Sequence, residues 1–171
     1  MKKRLVSLLL AISMILSLMP VSAVTAFAGD PIVEQVKVGV EYNCGKTKTD
    51  SVTALLTQNN EDSENPTYTL KIRGNGAMKN CDTSWDGLDN PWGIYRDQIT
   101  ELTIDEGITS IGAAAFYKCS NLKGTLTIPS TVTVIGESAF NGCSSLTGDL
   151  TIPDTVTAIG KDAFYKCSGF Q

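Results

Sequence analysis

Cys119, Cys143 and Cys167 follow one another at intervals of 24 residues, in "AFYKCSNL", "AFNGCSSL" and "AFYKCSGF". Three thiols at one spacing could hold a metal, bridge, or act as nucleophiles. A structural zinc site wants four ligands in a tetrahedron, and the 171-residue chain contains no histidine to complete one. The same lack removes Ser-His-Asp and Cys-His nucleophile pairs. If the three segments stack, coils about 4.8 Å apart satisfy the Cα separation of a disulfide. Their side chains then run parallel, however, and the Cβ vectors do not converge as the bond requires. Free cysteine is among the most buried residue types and packs as a small hydrophobe. The column is therefore expected to be reduced thiols filling an interior beside Phe116, Phe140 and Phe164, with no catalytic residue, metal ligand or cofactor.

Two further cysteines, Cys44 in "YNCGK" and Cys81 in "KNCDT", make five. An odd number in an exported chain leaves at least one thiol unpaired or paired between chains. Export would permit a Cys44–Cys81 bridge, although spacing alone cannot supply its geometry. "DTSWDGLDNPWG" places Asp82, Ser84, Asp86 and Gly87 at the first ligand positions of a calcium loop. It ends on Gly93 where a bidentate glutamate is needed, so a solvated turn is expected instead. "GNGAMK" has Lys79 in place of the third glycine of a dinucleotide fingerprint and lies in no βαβ unit. Paired carboxylates could hydrolyse glycosides, but Ala113, Glu137 and Lys161 share one position of the array, as solvated residues do. No enzyme is expected.

The elements that must position these residues are repeats. Gly112, Gly136 and Gly160 keep the 24-residue interval, as do the three phenylalanines, and residues 126–147 match 150–171 at 13 of 22 positions. A period of this size belongs to solenoids in the leucine-rich-repeat range. The expected fold is an α/β solenoid, a right-handed coil of short strands and short helical turns behind an N-terminal β-rich cap. Within each coil "LTIP" alternates inward Leu and Ile with an outward Thr, as a short strand does, and proline ends the pairing. Val132 and Ile135 mark a second extended piece. Gly136 is expected to supply a turn, and "ESAFNGC" a single helical turn that presents Ala139, Phe140 and Cys143 inward. No such coil buries enough to stand alone, so stability must come from stacking.

Ahead of the repeats, "VKVGVEY" alternates with Val36, Val38, Val40 and Tyr42 on one face. "VTALLT" and "YTLKIR" read as two more strands joined by the polar "QNNEDSENP". An aromatic loop, "SWDGLDNPWGIY", offers Trp85 or Trp92 to cover the first coil. The start of the chain is different in kind. Lys2, Lys3 and Arg4 precede an apolar run from Leu5 to Met19 and an A-x-A ending at Ala28. This is a secretory signal peptide cut before Gly29, with Ala23 as a second site. The run is too short to span a bilayer. The expected organisation is thus 1–28 signal peptide, 29–98 cap and 99–171 repeats, in about three coils with the last incomplete. Cleavage takes the net charge from −4 to −7, the wrong sign for nucleic acid or for attachment to anionic lipid. The product is expected outside the cell, soluble and not inserted in a membrane. No polar closing coil follows Phe170, so the last coil is expected to lead into a longer array, to fray, or to self-associate.

"IDEGITSIGAAAFYKCSNL", "IPSTVTVIGESAFNGCSSL" and "IPDTVTAIGKDAFYKCSGF" resemble the BspA-like leucine-rich repeats of bacterial and protist surface proteins, whose pattern runs I-P-x-x-V-x-x-I-G-x-x-A-F-x-x-C-x-x-L. "LKIRGNGAM" and "NPWGIYRDQITELTIDEGITSIG" are similar to the entry region those proteins carry. The resemblance covers Cys44 to Gln171 and implies a curved solenoid, without catalytic residues, that binds host matrix proteins or other cells. Solenoids bind along extended faces. The expected ligand face is the outward row Thr103, Thr127 and Thr151, with neighbours Glu101, Thr125 and Asp149. Two alternatives remain: a structural spacer or fragment of a longer surface protein, and a threonine array that binds ice or carbohydrate through Thr131, Thr133, Thr155 and Thr157 as well.

Overall fold

The computed structural model describes residues 38–61, 64–83 and 91–170. The signal segment, Val36, Trp85, and Ser84, Asp86, Gly87 and Asp89 of the calcium-like loop lie outside these residues. Strand β1 (Glu41–Asn43) pairs antiparallel with β2 (Thr53–Gln58), and β2 with β3 (Tyr68–Arg73). After β4 (Gly76–Ala77) and a 3-10 turn at Gly93–Tyr95 comes β5 (Ile99–Ile104), which joins the same sheet parallel to β3. A second, wholly parallel sheet runs β4, β6 (Ile108–Ile111), β7 (Val134–Ile135), β8 (Ala158–Ile159). Its rungs keep the 24-residue step, with Ser110 opposite Val134 and Val134 opposite Ala158.

Period-2 alternation sets the faces of the first sheet. Val52, Ala54, Leu56, Leu70 and Ile72 are fully buried, whereas Thr57, Thr69 and Lys71 point outward. β1 is shorter than its sequence suggests. Gly39 sits at φ +78 in a turn, so the alternation breaks there, and Val38 and Val40 remain exposed at 38% and 46%. One apolar cluster runs from Cys44 in the first sheet through the repeats to Ala163.

Three local expectations are corrected. "LTIP" forms a paired strand only in its first copy. There, Asp105 N–H donates to Ile72 O at 2.9 Å. Pro129 and Pro153 have no N–H for that bond, and Leu126–Ile128 and Leu150–Ile152 form no ladder, with Leu126 and Ile128 still inward. Contact between coils passes instead to Lys123 N–H on Thr100 O and Thr147 N–H on Gly124 O, both 3.0 Å.

The segment from Gly136 to Leu146 is not helical. Ser138 and Gly142 take left-handed backbone at φ 54 and 83, as do Ala114, Lys118, Asp162 and Lys166 at the matching positions. Alternate N–H groups turn away from the local chain and donate forward to the next coil. Ala114, Phe116 and Lys118 bond Glu137, Ala139 and Asn141, and Ser138, Phe140 and Gly142 bond Lys161, Ala163 and Tyr165. The intervening residues close i to i+3 turns, such as Cys143 on Phe140 at 3.1 Å. On the strand side donors point both ways, Thr133 back to Thr109 and Gly136 back to Ile111, but Met78 forward to Ser110.

The glycine column has another cause than the turn first assigned to it. Gly136 has no left-handed φ, but a Cβ there would lie 2.4 Å from Ala113 N, and one on Gly160 would lie 2.3 Å from Glu137 N. Successive coils touch backbone to backbone at this point.

Candidate functional site: the inner file and outward rows of the repeats

Phe116, Phe140 and Phe164 form one interior file. Their rings stack at 5.0 Å and 5.4 Å between centroids, with interplanar angles of 24° and 3°. Trp92, 1% exposed, heads the file at 6.1 Å from Phe116 and donates its indole N–H to Ala115 O at 2.9 Å. Phe170 closes the other end edge-on to Phe164 at 6.4 Å.

The cysteines run beside the rings, Cys119 and Cys143 buried and Cys167 half-buried. They are more than filling. Cys143 donates its S–H to Phe116 O at 3.2 Å, and Cys167 does the same to Phe140 O at 3.1 Å. Cys143 and Cys167 therefore each add a second donor to a carbonyl of the preceding coil that already accepts a backbone N–H, from Cys119 and Cys143 respectively. Burial pushes the Cys119 thiol up to about 12. Cys143 is pushed up by burial and by its neighbours Cys119 and Cys167, and Cys167 is raised by burial. A thiol held neutral is a poor nucleophile and a poor metal ligand. Among the described residues no group of three or more acidic or cysteine side chains could hold a metal ion. Cys44 is buried in the first sheet and pushed up to about 12 by the same cause. Cys81 is half-buried, and no disulfide joins the two.

All six residues of the expected ligand face are exposed: Glu101, Thr103, Thr125, Thr127, Asp149 and Thr151. Strand register carries their rows onto the first sheet. Glu101 lies opposite Thr69, itself opposite Thr57, while Thr103 lies opposite Lys71. The Thr69 hydroxyl sits 2.9 Å from Glu101 Oε2 and 2.7 Å from Asn59 Oδ1, and Lys71 pairs with Asp105 at 3.6 Å. Arg73 and Glu41 form a further ion pair on this sheet. Sequence reasoning missed these extensions. The signal was present in "YTLKIR", whose Thr69, Lys71 and Arg73 alternate with the buried residues.

The second threonine group is occupied differently. Thr131 donates to Ile108 O at 2.8 Å, Thr155 to Val132 O at 3.0 Å, and Thr133 and Thr157 to Thr109 O and Thr133 O at 3.1 Å each. These hydroxyl protons tie each coil to the one before.

The 24-residue register, the phenylalanine file and the cysteine column now meet an independent comparison. Residues 94–171 match the family model of the BspA type leucine rich repeat region, in six copies. Residues 94–171 are a BspA-type leucine-rich repeat region. The chain is also similar to two solved structures. One is a leucine-rich repeat protein from Eubacterium ventriosum, with 30% identity and a TM-score of 0.52 over 74% of this chain and 35% of that one. The other is a leucine rich cell surface protein from Faecalibacterium prausnitzii, with 26% identity and a TM-score of 0.45 over 79% of this chain and 36% of that one. The chain thus spans about a third of the length of the structures it matches. No curated protein matches it. Among the described residues no helix is long and apolar enough to cross a membrane. In chemical terms, the BspA-type repeats combine a sealed, neutral interior with polar outer rows held at a fixed spacing.

Proposed function

We propose that this chain is an exported cell-surface module that binds proteins along the outward polar rows, with adhesion to host or neighbouring-cell macromolecules as its use. In this reading residues 1–28 are removed, residues 29–98 cap the stack, and the BspA-type repeats coil right-handedly behind them. The observation that carries the reading is the exposure of all six residues of the row, continued by Thr69 and Lys71 onto the cap strands. A face built on a hydrogen-bonded stack is ordered before it meets a partner, which lowers the entropy lost on binding. The hydroxyls of Thr131, Thr133, Thr155 and Thr157 are already committed to backbone carbonyls, which favours a structural role for that group over an ice-binding array.

The test uses the whole secreted chain, applied to immobilised matrix glycoproteins and to intact epithelial and bacterial cells. Binding is expected to at least one of them, and replacing Thr103, Thr127 and Thr151 together by Lys should weaken it about tenfold or more. Unchanged binding by the triple variant rules out this face. Failure to bind any of the surfaces rules out adhesion.

A further inference from the structure

The turn segments of the repeats carry a second outward face. Position by position, Tyr117, Asn141 and Tyr165 occupy one column and Lys118, Gly142 and Lys166 the next. Their neighbours Phe116, Phe140 and Phe164 point inward, which turns this column to solvent. Tyr165 is 55% exposed, more than any other large apolar side chain among the described residues, and Tyr117 is partly exposed. Each lysine ammonium rests 5.3 Å from the ring centroid of the tyrosine before it.

Both lysines hold left-handed backbone, at φ 57 and 59, a conformation disfavoured for side chains with a Cβ. The middle coil puts Gly142 at the same point, φ 83, where the conformation carries no such strain. The same backbone recurs at Ala114, Ser138 and Asp162, so it belongs to the turn pattern that bonds one coil to the next. A Cβ at Gly142 would lie 3.3 Å from Lys118 Cα, so the glycine lets the middle coil approach that lysine closely.

Spacing is fixed by the backbone. Lys118 N–H bonds Asn141 O at 2.7 Å and Gly142 N–H bonds Tyr165 O at 2.8 Å. The two tyrosines are therefore two rungs apart, about 9.6 Å at roughly 4.8 Å per rung. That is close to the length of one disaccharide in an extended β-1,4-linked polysaccharide. Sugar rings offer apolar C–H faces to aromatic platforms and hydroxyls to the polar groups between them. The charges on this side are of both signs, since Glu137 and Asp162 are exposed beside Lys161. With a chain net charge of −4, a polyanion gains no general attraction.

We propose that the turn face binds a neutral, extended β-linked polysaccharide, with Tyr117 and Tyr165 as platforms under alternate sugars. Asn141, Lys118 and Lys166 supply hydrogen bonds to the hydroxyls.

Calorimetric titration of the full chain with cellohexaose, xylohexaose and mannohexaose tests this, with polygalacturonate as the anionic comparison. At least one neutral hexasaccharide should bind more tightly than polygalacturonate. Tyr165→Ala should weaken that binding about tenfold, while Tyr165→Phe, which keeps the ring, should stay within about twofold of the wild type. Tyr165 is exposed enough that both variants should keep the parent's unfolding midpoint. Tyr117→Ala, together with Tyr165→Ala, should abolish detectable binding. No binding of any neutral hexasaccharide, preferential binding of polygalacturonate, or a Tyr165→Ala variant that binds as well as the wild type would each overturn the proposal.

Discussion

Cys143 shows how much work one buried side chain does in this molecule. Its sulfur fills space between coils, its proton bonds Phe116 O, and burial keeps it neutral. The first of these was legible in the 24-residue spacing. The second was not, because nothing in the pattern says that Phe116 O, already bonded by Cys119 N–H, takes a second donor from the next coil. The raised thiols have a consequence for pH. Cys44 and Cys119 have folded values near 12 against an ordinary 9.0. For a group raised on folding, the stability contribution is complete below the unfolded value and is lost as pH rises toward the folded one. Each such thiol should remove about 1.4 kcal/mol of stability per pH unit above about 9, where only the unfolded chain ionises. Urea midpoints measured from pH 7 to 11 should fall steeply above pH 9. Cys119→Ala should start lower and fall less steeply, because it has one thiol fewer to ionise. A flat alkaline limb for the parent would contradict the burial of these groups.

At the scale of elements, the strands were easier to read than the turns. β2 and β3 follow alternation in "VTALLT" and "YTLKIR", and one-sided burial leaves little choice of register. The turn segment misled for a physical reason. Ala139, Phe140 and Cys143 have the spacing of one helical face, and apolar spacing cannot distinguish a helix from a series of i to i+3 turns whose other amides bond the next coil. The glycine at position 136 was visible as a repeat feature, yet its cause lies in a neighbour 23 residues away, Ala113, and not in its own backbone angles. Gly136→Ala should therefore cost about 1–3 kcal/mol, the range of overpacking, by pushing two coils apart. Gly124→Ala makes a useful contrast. A Cβ there meets nothing within 4 Å, but the backbone is left-handed at φ +80, so only local strain is added. Urea unfolding of both, with hydrogen exchange at Ala113 and Ala114, checks the distinction: only Gly136→Ala should expose those amides. Equal protection in the two variants would argue against contact between the coils as the reason for glycine.

For the whole described molecule, the aromatic file is the clearest common thread, from Trp92 through Phe116 and Phe140 to Phe164 and Phe170. The period made the three phenylalanines legible, whereas the choice of Trp92 as the head depended on tertiary contact. In a stack, a central coil has neighbours on both sides and a terminal coil on one. Phe140, fully buried, should cost about 3–5 kcal/mol when cut to alanine. Phe164, partly buried, should cost clearly less. Denaturant unfolding of the two variants measures the difference, and equal losses would mean that the file does not act as one stack.

The directions of the amides between coils lead to a final point about electrical asymmetry. On the turn side they aim forward, from Phe116 to Ala139 and from Phe140 to Ala163. On the strand side the directions mix: Thr133 and Gly136 aim back at Thr109 and Ile111, whereas Gly76 and Met78 aim forward at Gly107 and Ser110. An α-helix aligns its peptide dipoles and accumulates opposite partial charges at its two ends. Here only the turn side has that alignment, because the strand side sends its amides both ways. Adding rungs therefore lengthens a row of aligned amides along the turn edge, with donors facing the later coils and acceptors facing the earlier ones.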